Sequence, residues 1–352
     1  MNVLSFGHKH AMPSTVEDDL TYKVLPSRWR GRSTFWFWLI AAALGASAIV
    51  VLALGYYWDY EPPVFDVTKA AMELTGVPAE KLAPGAVCTA VLIKAATTLL
   101  DGRGGYLSND VLPPGIIMDN IPNWEHGVVV QVRDLVRALR NQLARSQSQS
   151  TEDPDLAVAD PRLNFDHASW LFATEYEYRD GIDHLNRYLK RLQDSHDKEL
   201  FFARADNLRP WLGLVSQRLG DLAQRLSASV GTNVPAKGAE RSAAAVSPVQ
   251  HRTPWMELDD VFYYARGSTW ALLHFMRAVE VDFRPILENK HALVTVRQVI
   301  RALEHTQAPF DSPVVLNGSE FGLFPNHSIA MSSYISRANS GVIDLLNLLV
   351  RG

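Results

Sequence analysis

The sequence predicts a mainly α protein, with an N-terminal single transmembrane helix followed by an antiparallel helical bundle. Three observations predict this fold class: a long apolar run near the N-terminus, apolar residues that recur at steps of three and four, and no convincing run of alternating strand pattern. The apolar run has the length of a membrane span. The repeating steps are typical of helices that bury one face against each other.

The apolar run extends from Thr34 to Trp58 and has 25 residues. At about 1.5 Å per residue it forms roughly 37 Å of helix, enough to cross a hydrocarbon core of about 30 Å. Arginines at positions 28, 30 and 32 precede it, whereas Asp59 and Glu61 follow it. The positive-inside rule therefore predicts a cytoplasmic N-terminus and places everything after Trp58 on the outer side of the membrane. Aromatic residues cluster at both ends, as in an interfacial belt: Trp36, Trp38, Tyr56, Tyr57, Trp58 and Tyr60.

A cleaved signal peptide is the alternative interpretation of this run. Its support is the small-residue sequence Ala-Ser-Ala at 46–48, which follows a shorter apolar stretch. Two features favour a permanent anchor: the long segment before the run, and the continuation of the run past residue 48. Ala41 and Gly45 also form a small-residue pair at the spacing that seats a partner helix, although such residues are common in spans.

The span divides the chain into unequal parts, with about 290 residues beyond it. We predict this organisation: a cytoplasmic tail at 1–32, a transmembrane helix at 33–58, a linker at 59–65, a helical portion outside the cytoplasm at 66–230, a flexible linker at 231–250, and a C-terminal helical portion at 251–352 that packs on the same bundle.

Seven helices are predicted beyond the span: residues 87–100, 124–144, 173–193, 207–228, 258–280, 293–303 and 335–349. The strictest pattern is that of 207–228, where apolar residues alternate steps of four and three from Leu208 to Leu226. The helix at 258–280 is apolar on several faces, so it is expected to be the most buried.

Composition and charge limit the classes of function. The net charge is −4, and because residues 1–32 carry five basic and three acidic residues, the remainder carries −6. A mildly acidic exterior argues against a nucleic-acid partner. Cys88 is the single cysteine, so no internal disulfide can form. It lies in an apolar stretch and is expected to be a small buried residue of a helix.

Several long motifs resemble one known family. They include "GGYLSNDVLPPG", "NWEHGVVVQVRDLVRALRN", "DDVFYYARGSTWALLH" and "NGSEFGLFPNHSIAMSSYISRAN". Together they resemble the proteobacterial inner-membrane family catalogued as domain of unknown function 2333, from the span to the C-terminus. The resemblance implies a Gram-negative inner-membrane protein with a periplasmic domain. It implies no activity, cofactor or catalytic residue.

Short motifs with chemical meaning are present but incomplete. Ser195-x-x-Lys198 matches a nucleophile motif of penicillin-recognising enzymes, but the accompanying K-T-G is absent. Glu288-x-x-His291 has a metal-ligand spacing without the second copy that a di-iron bundle needs. Asp180 and His184 share a face at i, i+4, where surface ion pairing is favoured over zinc binding.

Asp259 and Asp260 stand at the start of a predicted helix, where its dipole stabilises carboxylates. This structural role is favoured over a paired general acid and base, because no third polar partner is evident. No catalytic residue, cofactor or metal ligand is therefore predicted.

Two irregular segments, 102–123 and 308–326, are longer than most connections within a bundle. The first begins "GRGGYLSND"; without a preceding strand its glycines indicate a helix stop and a close backbone crossing, not a phosphate loop. The candidate ligand or partner site lies in and beside this segment, and the alternative is that its residues only satisfy the loop backbone. Its residues are Tyr106, Asn109, Asp110, Asn123 and Trp124.

Two functions remain open on the sequence. The first is a non-enzymatic cell-envelope scaffold or binding protein with an envelope protein partner, which suits the long helical faces. The second is a periplasmic enzyme that acts on cell wall or lipid through an unrecognised site between the two irregular segments. A ligand sensor is a weaker third hypothesis, because the short tail leaves no room for an output domain.

Overall fold

A computed structural model describes residues 28–146, 151–170, 173–194, 200–230, 253–309, 312, 314–318 and 324–350. Within these residues the chain forms eleven α-helices and no strand, which confirms the mainly α fold class. The predicted flexible linker at 231–250, the Ser195-x-x-Lys198 motif, most of the predicted tail and parts of the 308–326 segment lie outside the described residues.

The helices are α1 Arg28–Trp58, α2 Val67–Thr75, α3 Ala86–Leu100, α4 Asn120–Ala138, α5 Pro154–Leu163, α6 Ala173–Asp194, α7 Ala205–Ser227, α8 Leu258–Asp282, α9 Arg284–Asn289, α10 Leu293–Thr306 and α11 His327–Val350. A π-helical turn at Leu139–Leu143 continues α4. All seven helices predicted beyond the span are present, and α11 begins eight residues earlier than predicted.

Helices α2, α5 and α9 were not predicted, because they have nine, ten and six residues and are too short to show a repeated apolar face. Helix α2 has nine residues; the Asp66 carboxylate accepts a hydrogen bond from the Lys69 N–H at its start, and Gly76 ends it with φ +71°. Helix α5 carries Pro154 in its first turn, where a missing N–H costs little, and Asp153 caps it. Both helices therefore begin at a recognisable N-cap.

Helix α1 contains the predicted span. Its stretch Thr34–Trp58 has a mean hydropathy of 2.5, and none of the most apolar window is buried by the rest of the chain. By length and composition it is the one helix among the described residues that is able to cross a membrane. The residues up to Val50 form one compact unit, and the residues from Val51 onward form a second.

The second unit has one core centred on α8, which is buried on several faces as predicted. Helices α3, α4 and α10 pack around α8, and α7 packs along α11. The α7–α11 pair is antiparallel, because Ser216 meets Asn339 while Ser227 meets Ser332 further along. Cys88 is buried as predicted and lies in α3. The core therefore contains helices that precede the predicted linker at 231–250 in sequence and helices that follow it.

Candidate functional site

The glycines of the 102–123 segment allow a close backbone crossing. Gly104 and Gly105 have φ of +93° and +82°, a region that favours glycine. A Cβ atom on Gly104 would lie 2.7 Å from Trp58 Cδ2, so the loop backbone rests directly on the last residue of α1. The guanidinium of Arg103, the residue before Gly104, stacks 3.8 Å from the ring centre of Tyr60. The predicted helix stop and close crossing are both present.

Glu125 holds the loop in place through hydrogen bonds, and the sequence analysis did not identify it. Its carboxyl oxygens accept hydrogen bonds from the Leu107 N–H (3.1 Å), the Ser108 N–H (2.8 Å) and the Ser108 hydroxyl (2.7 Å). Glu125 is only 3% exposed, and this burial raises the pKa of its carboxyl group to about 8, against the opposing effect of those hydrogen bonds. The group is therefore mainly protonated at neutral pH.

Two of the predicted site residues, Tyr106 and Asn109, lie beside Glu125. The Tyr106 ring is buried and meets the Tyr178 ring edge-on, with 5.8 Å between centroids. Burial raises the pKa of the Tyr106 hydroxyl far above its usual range. The Asn109 amide donates to the Glu175 carboxylate and to the Ser169 carbonyl, both at 2.9 Å. These two side chains thus fasten the loop to the neighbourhood of α6.

The other three predicted residues lie in different surroundings. Asp110 is exposed, and partial desolvation, with the nearby Glu175 carboxylate, raises its pKa. Asn123 donates to the Asp260 carboxylate of α8 at 2.7 Å. Trp124 is buried against Trp270, with 5.1 Å between ring centroids. The structure therefore divides the five residues among a loop support, a helix junction and the core.

Asp260 has a polar partner that the sequence did not reveal. Asp259 and Asp260 occupy the first turn of α8, as predicted, but Asp260 also bonds to Asn123 across the α4–α8 junction. Burial is the main cause that raises the pKa of Asp260, and the Asp119 carboxylate adds to it. The expectation that no further polar group stands beside these carboxylates is therefore wrong for Asp260.

A separate cavity of about 460 Å³ lies where the chain leaves α1. It is lined by the exit segment, which we define as residues 59–65, together with α8 and the chain after α10. Arg266 crosses it: its guanidinium donates to the Glu61 carboxylate at 2.5 Å and to the carbonyl of Ala308 at 3.0 Å. None of the five predicted site residues lines this cavity. The sequence analysis missed this cavity; the signal that would have pointed to it is Arg266, a charged residue in a part of α8 that is otherwise uncharged from Val261 to Leu273.

The metal-ligand spacings do not assemble a site. Asp180 pairs with Arg162 at 2.9 Å, while His184 Nδ1 contacts the Asp155 carboxylate at 3.0 Å, so the two side chains have different partners, consistent with the favoured ion-pair interpretation. His291 lies beyond the end of α9 with φ +51°. The spacing of Glu288 and His291 therefore does not place the two side chains on one helix face. In the part of the chain that the structure describes, no three His, Cys, Asp or Glu side chains gather as a metal site.

Comparison with known proteins identifies the family. A family model described as "Uncharacterized protein conserved in bacteria (DUF2333)" matches residues 29–352. The chain belongs to this family. The match begins at the second residue of α1 and covers every other described helix. The family therefore includes both the apolar helix and the helices α2 to α11, which we call the helical body. No curated protein and no solved structure matches the chain.

Proposed function

We propose that this DUF2333 protein is a single-span inner-membrane protein that holds a helical body in the periplasm as a cell-envelope scaffold or binding protein. The observation that carries the proposal is the mounting of the exit segment. Instead of leaving the body on a free tether, residues 59–65 are bonded into it. A partner bound to such a body is held at a fixed distance from the membrane.

Two polar contacts and one ring contact fix the exit segment. Glu61 pairs with Arg266, as described above, at the edge of the body. The Phe65 N–H donates to His274 Nε2 at 3.0 Å, and the Phe65 ring stacks on the His274 imidazole with 3.9 Å between centroids. His274 Nδ1 lies 2.7 Å from the Trp270 carbonyl. Because Nε2 accepts and Nδ1 faces a carbonyl, the imidazole is neutral with its proton on Nδ1.

Burial lowers the pKa of His274 to about 4, so the contact with Phe65 persists at neutral pH. This pKa matters because a protonated Nε2 would be unable to accept from the Phe65 N–H. The mounting is therefore stable over the ordinary pH range of the envelope.

A retained anchor also agrees with the shape of α1. The Ala-Ser-Ala sequence at 46–48 lies inside one continuous helix that runs to Trp58. Cleavage after Ala48 would leave the last ten residues of α1, 49–58, at the new N-terminus. Among these, Ile49 and Leu52 are both 68% exposed. Exposed apolar side chains of that kind are unfavourable in water and favourable in lipid.

The anchor is tested on the full chain expressed in bacteria. The wild type is compared with an Ala46→Leu, Ala48→Leu variant, which removes the small residues of the cleavage sequence. We expect both proteins to run at full length and to remain in the membrane after alkaline extraction. A wild-type chain forty-eight residues shorter than the variant would overturn the anchor.

The scaffold role is tested by in-cell crosslinking and co-purification from membranes. A variant with Tyr106→Ala and Asn109→Ala is compared with Asp183→Ala, an exposed site on α6, at matched protein levels. We expect one specific protein partner to be lost in the loop variant and retained in the control. An unchanged partner set together with a lost small-molecule product would contradict the scaffold role.

A second candidate function is an envelope enzyme, and the observation that favours it is Glu125. A buried carboxylic acid with a pKa of about 8 resembles a general acid. The substitution Glu125→Gln separates the candidates. If the protein is an enzyme, the variant forms no product although it still folds. If the protein is a scaffold, the variant still binds its partner.

A further inference from the structure

The loop between Asp110 and Met118 carries exposed apolar side chains that the fold leaves uncovered. We define the lip as residues 111–117, with the sequence VLPPGII and no charged residue. The exposed fractions of its four largest aliphatic side chains are 49% for Val111, 74% for Leu112, 59% for Ile116 and 65% for Ile117. Large aliphatic side chains grouped in this way commonly mark an interaction surface.

The lip lies beside the last turns of α1. A Cβ atom on Gly55 would lie 3.5 Å from Pro114 Cβ, an ordinary van der Waals contact. Ile117 and Met118 share a cleft of about 200 Å³ with Gly55 and Tyr56. Just after the lip, Asn120 lines the same cleft as Asp59. The lip therefore follows the end of the span on one side.

This position sets the depth of the lip relative to a bilayer. Gly55 lies three residues before Trp58, the last residue of the apolar run. At about 1.5 Å per residue, the contact with Pro114 lies about 4.5 Å toward the bilayer from that end. The interfacial layer on each side of the hydrocarbon core is about 5–7 Å thick. A run of roughly 37 Å centred on a core of about 30 Å extends about 3.5 Å past it at each end, so the contact with Pro114 lies about 1 Å inside the core boundary. The lip therefore lies where the core meets the interfacial layer.

The conformation of the lip is held from its inner side. The Ile116 N–H donates to the Leu112 carbonyl at 3.2 Å, and the Asp110 N–H donates to the Leu107 carbonyl at 3.1 Å. Gly115 is buried, and a Cβ atom there would meet Asp110 Cβ at 2.4 Å. Because the preceding loop is also bonded to Glu125, the aliphatic side chains are presented outward before any lipid is present.

The charges around the lip argue for apolar insertion. Asp59, Asp119 and Asp260 surround its base, and these carboxylates would repel an anionic lipid surface. The lip itself is uncharged. Attraction to the membrane therefore depends on its aliphatic side chains, with no requirement for anionic lipid.

We propose that the lip inserts into the non-cytoplasmic interface of the bilayer that α1 crosses, and so seats the helical body on the membrane. The inference rests on the proposed anchor, since α1 sets the depth. It adds a second contact with lipid, beside the span. Together the span and the lip give the body two points of attachment, which fixes its tilt as well as its height.

The test uses the full chain reconstituted in vesicles of phosphatidylcholine, a zwitterionic lipid with no net charge. A polarity-sensitive fluorophore is attached at Leu112→Cys, and nitroxide-labelled lipids act as quenchers. Lys190→Cys is the matched control, because it is exposed near the end of α6, where Gln193 bonds to Ala83 before α3. Helix α3 runs from there to the loop at Trp58, about 22 Å away. The unsubstituted chain, with Cys88 buried, gives the labelling background.

We expect quenching at Leu112→Cys to be at least threefold stronger than at Lys190→Cys, and to fall to the control level when Ile116→Asn and Ile117→Asn are added. A third label at Ile49→Cys, inside α1, separates the two proposals. Strong quenching at position 49 with only control quenching at position 112 would overturn the lip and leave the anchor. Control-level quenching at both positions would overturn both.

Discussion

Among the described helices, the α4–α8 and α7–α11 contacts are the most extensive, and they are built differently. In α7–α11 the contact is made by side chains: Leu212 and Leu345 are fully buried, and the Ser332 hydroxyl donates to the Ala223 carbonyl at 2.8 Å. In α4–α8 the backbones touch at glycines. A Cβ atom on Gly127 would lie 2.2 Å from the Tyr264 carbonyl oxygen, and one on Gly267 would lie 1.9 Å from the Trp124 carbonyl oxygen.

The difference shows where this fold has no freedom to vary. A leucine contact tolerates substitutions that conserve volume, because side chains repack. A backbone contact accepts no side chain at all. The α4–α8 pair also carries Glu125, which bonds to the loop beside the end of α1, and Asn123 and Asp260, which bond to each other across the helix junction. The stricter contact is therefore the one from which the loop beside α1 is held.

The largest effect is expected from Gly267→Ala. The added methyl group meets backbone atoms of α4 that have no rotamer to adopt, so the helices must separate. We expect the free energy of unfolding to fall by about 4 kcal/mol or more. Gly213→Ala in α7 is the matched control: nothing lies within 4 Å of its Cβ position, and alanine improves helix propensity by about 1 kcal/mol. Thermal unfolding of both variants in detergent measures the contrast, and equal effects would refute it.

The next effect concerns Glu125 and pH. Its pKa is about 8 in the folded chain and about 4.3 when unfolded, so its contribution to stability is complete below the unfolded value and is lost as pH rises through the folded one. We expect wild-type stability to fall relative to Glu125→Gln by about 3 kcal/mol between pH 5 and pH 8.

His126 and His274 titrate in the opposite sense, since burial lowers both pKa values to about 4, but both are present in the two proteins. The difference between wild type and Glu125→Gln therefore isolates the carboxyl group. Thermal unfolding at pH 5, 6, 7 and 8 measures it. Parallel pH profiles would show that Glu125 is ionised in the fold, contrary to this account.

Substitution of the paired loop glycines separates backbone strain from contact with the span. Gly105→Ala places a side chain at φ +82° in open space, which costs about 1–2 kcal/mol. Gly104→Ala carries the same strain and also meets Trp58, so we expect it to cost about 1 kcal/mol more. If the two variants unfold at the same temperature, the loop does not rest on the end of α1.

The smallest effect compares one interhelical hydrogen bond from each pair. Asn123→Ala removes a donor to the Asp260 carboxylate and should cost about 1.5–2 kcal/mol. Asn339→Ala removes an acceptor from the Ser216 hydroxyl at 2.8 Å and should cost about 0.5–1 kcal/mol. Chemical denaturation of the two variants ranks them, and a larger loss for Asn339→Ala would reverse the comparison.

The same contrast explains how much the sequence was able to predict. The buried face of α7 follows from apolar spacing alone, because Leu208, Leu219 and Leu226 are buried where the alternation of four and three puts them. That α7 pairs with α11 was not predicted. The apolar face of α4 was equally readable. Both depend on a periodic signal that local sequence carries.

The α4–α8 contact and the site have no such signal. A glycine within a helix usually only weakens it, so Gly127 and Gly267 indicate a close approach only after the two helices are placed together. Glu125 falls within a predicted helix pattern, and its loop partners lie seventeen and eighteen residues away in sequence. The partner of Asp260 lies 137 residues away. Long-range pairs of single residues leave no periodic trace.

Membrane topology is the central claim, and site-specific labelling in cells tests it most directly. A membrane-impermeant maleimide is applied to cells with a permeabilised outer membrane that express Lys190→Cys or Ser14→Cys, with the unsubstituted chain as background. We predict that Lys190→Cys is labelled in these cells before lysis, whereas Ser14→Cys is labelled only after lysis. Labelling of Ser14→Cys before lysis, with Lys190→Cys protected, would contradict the account.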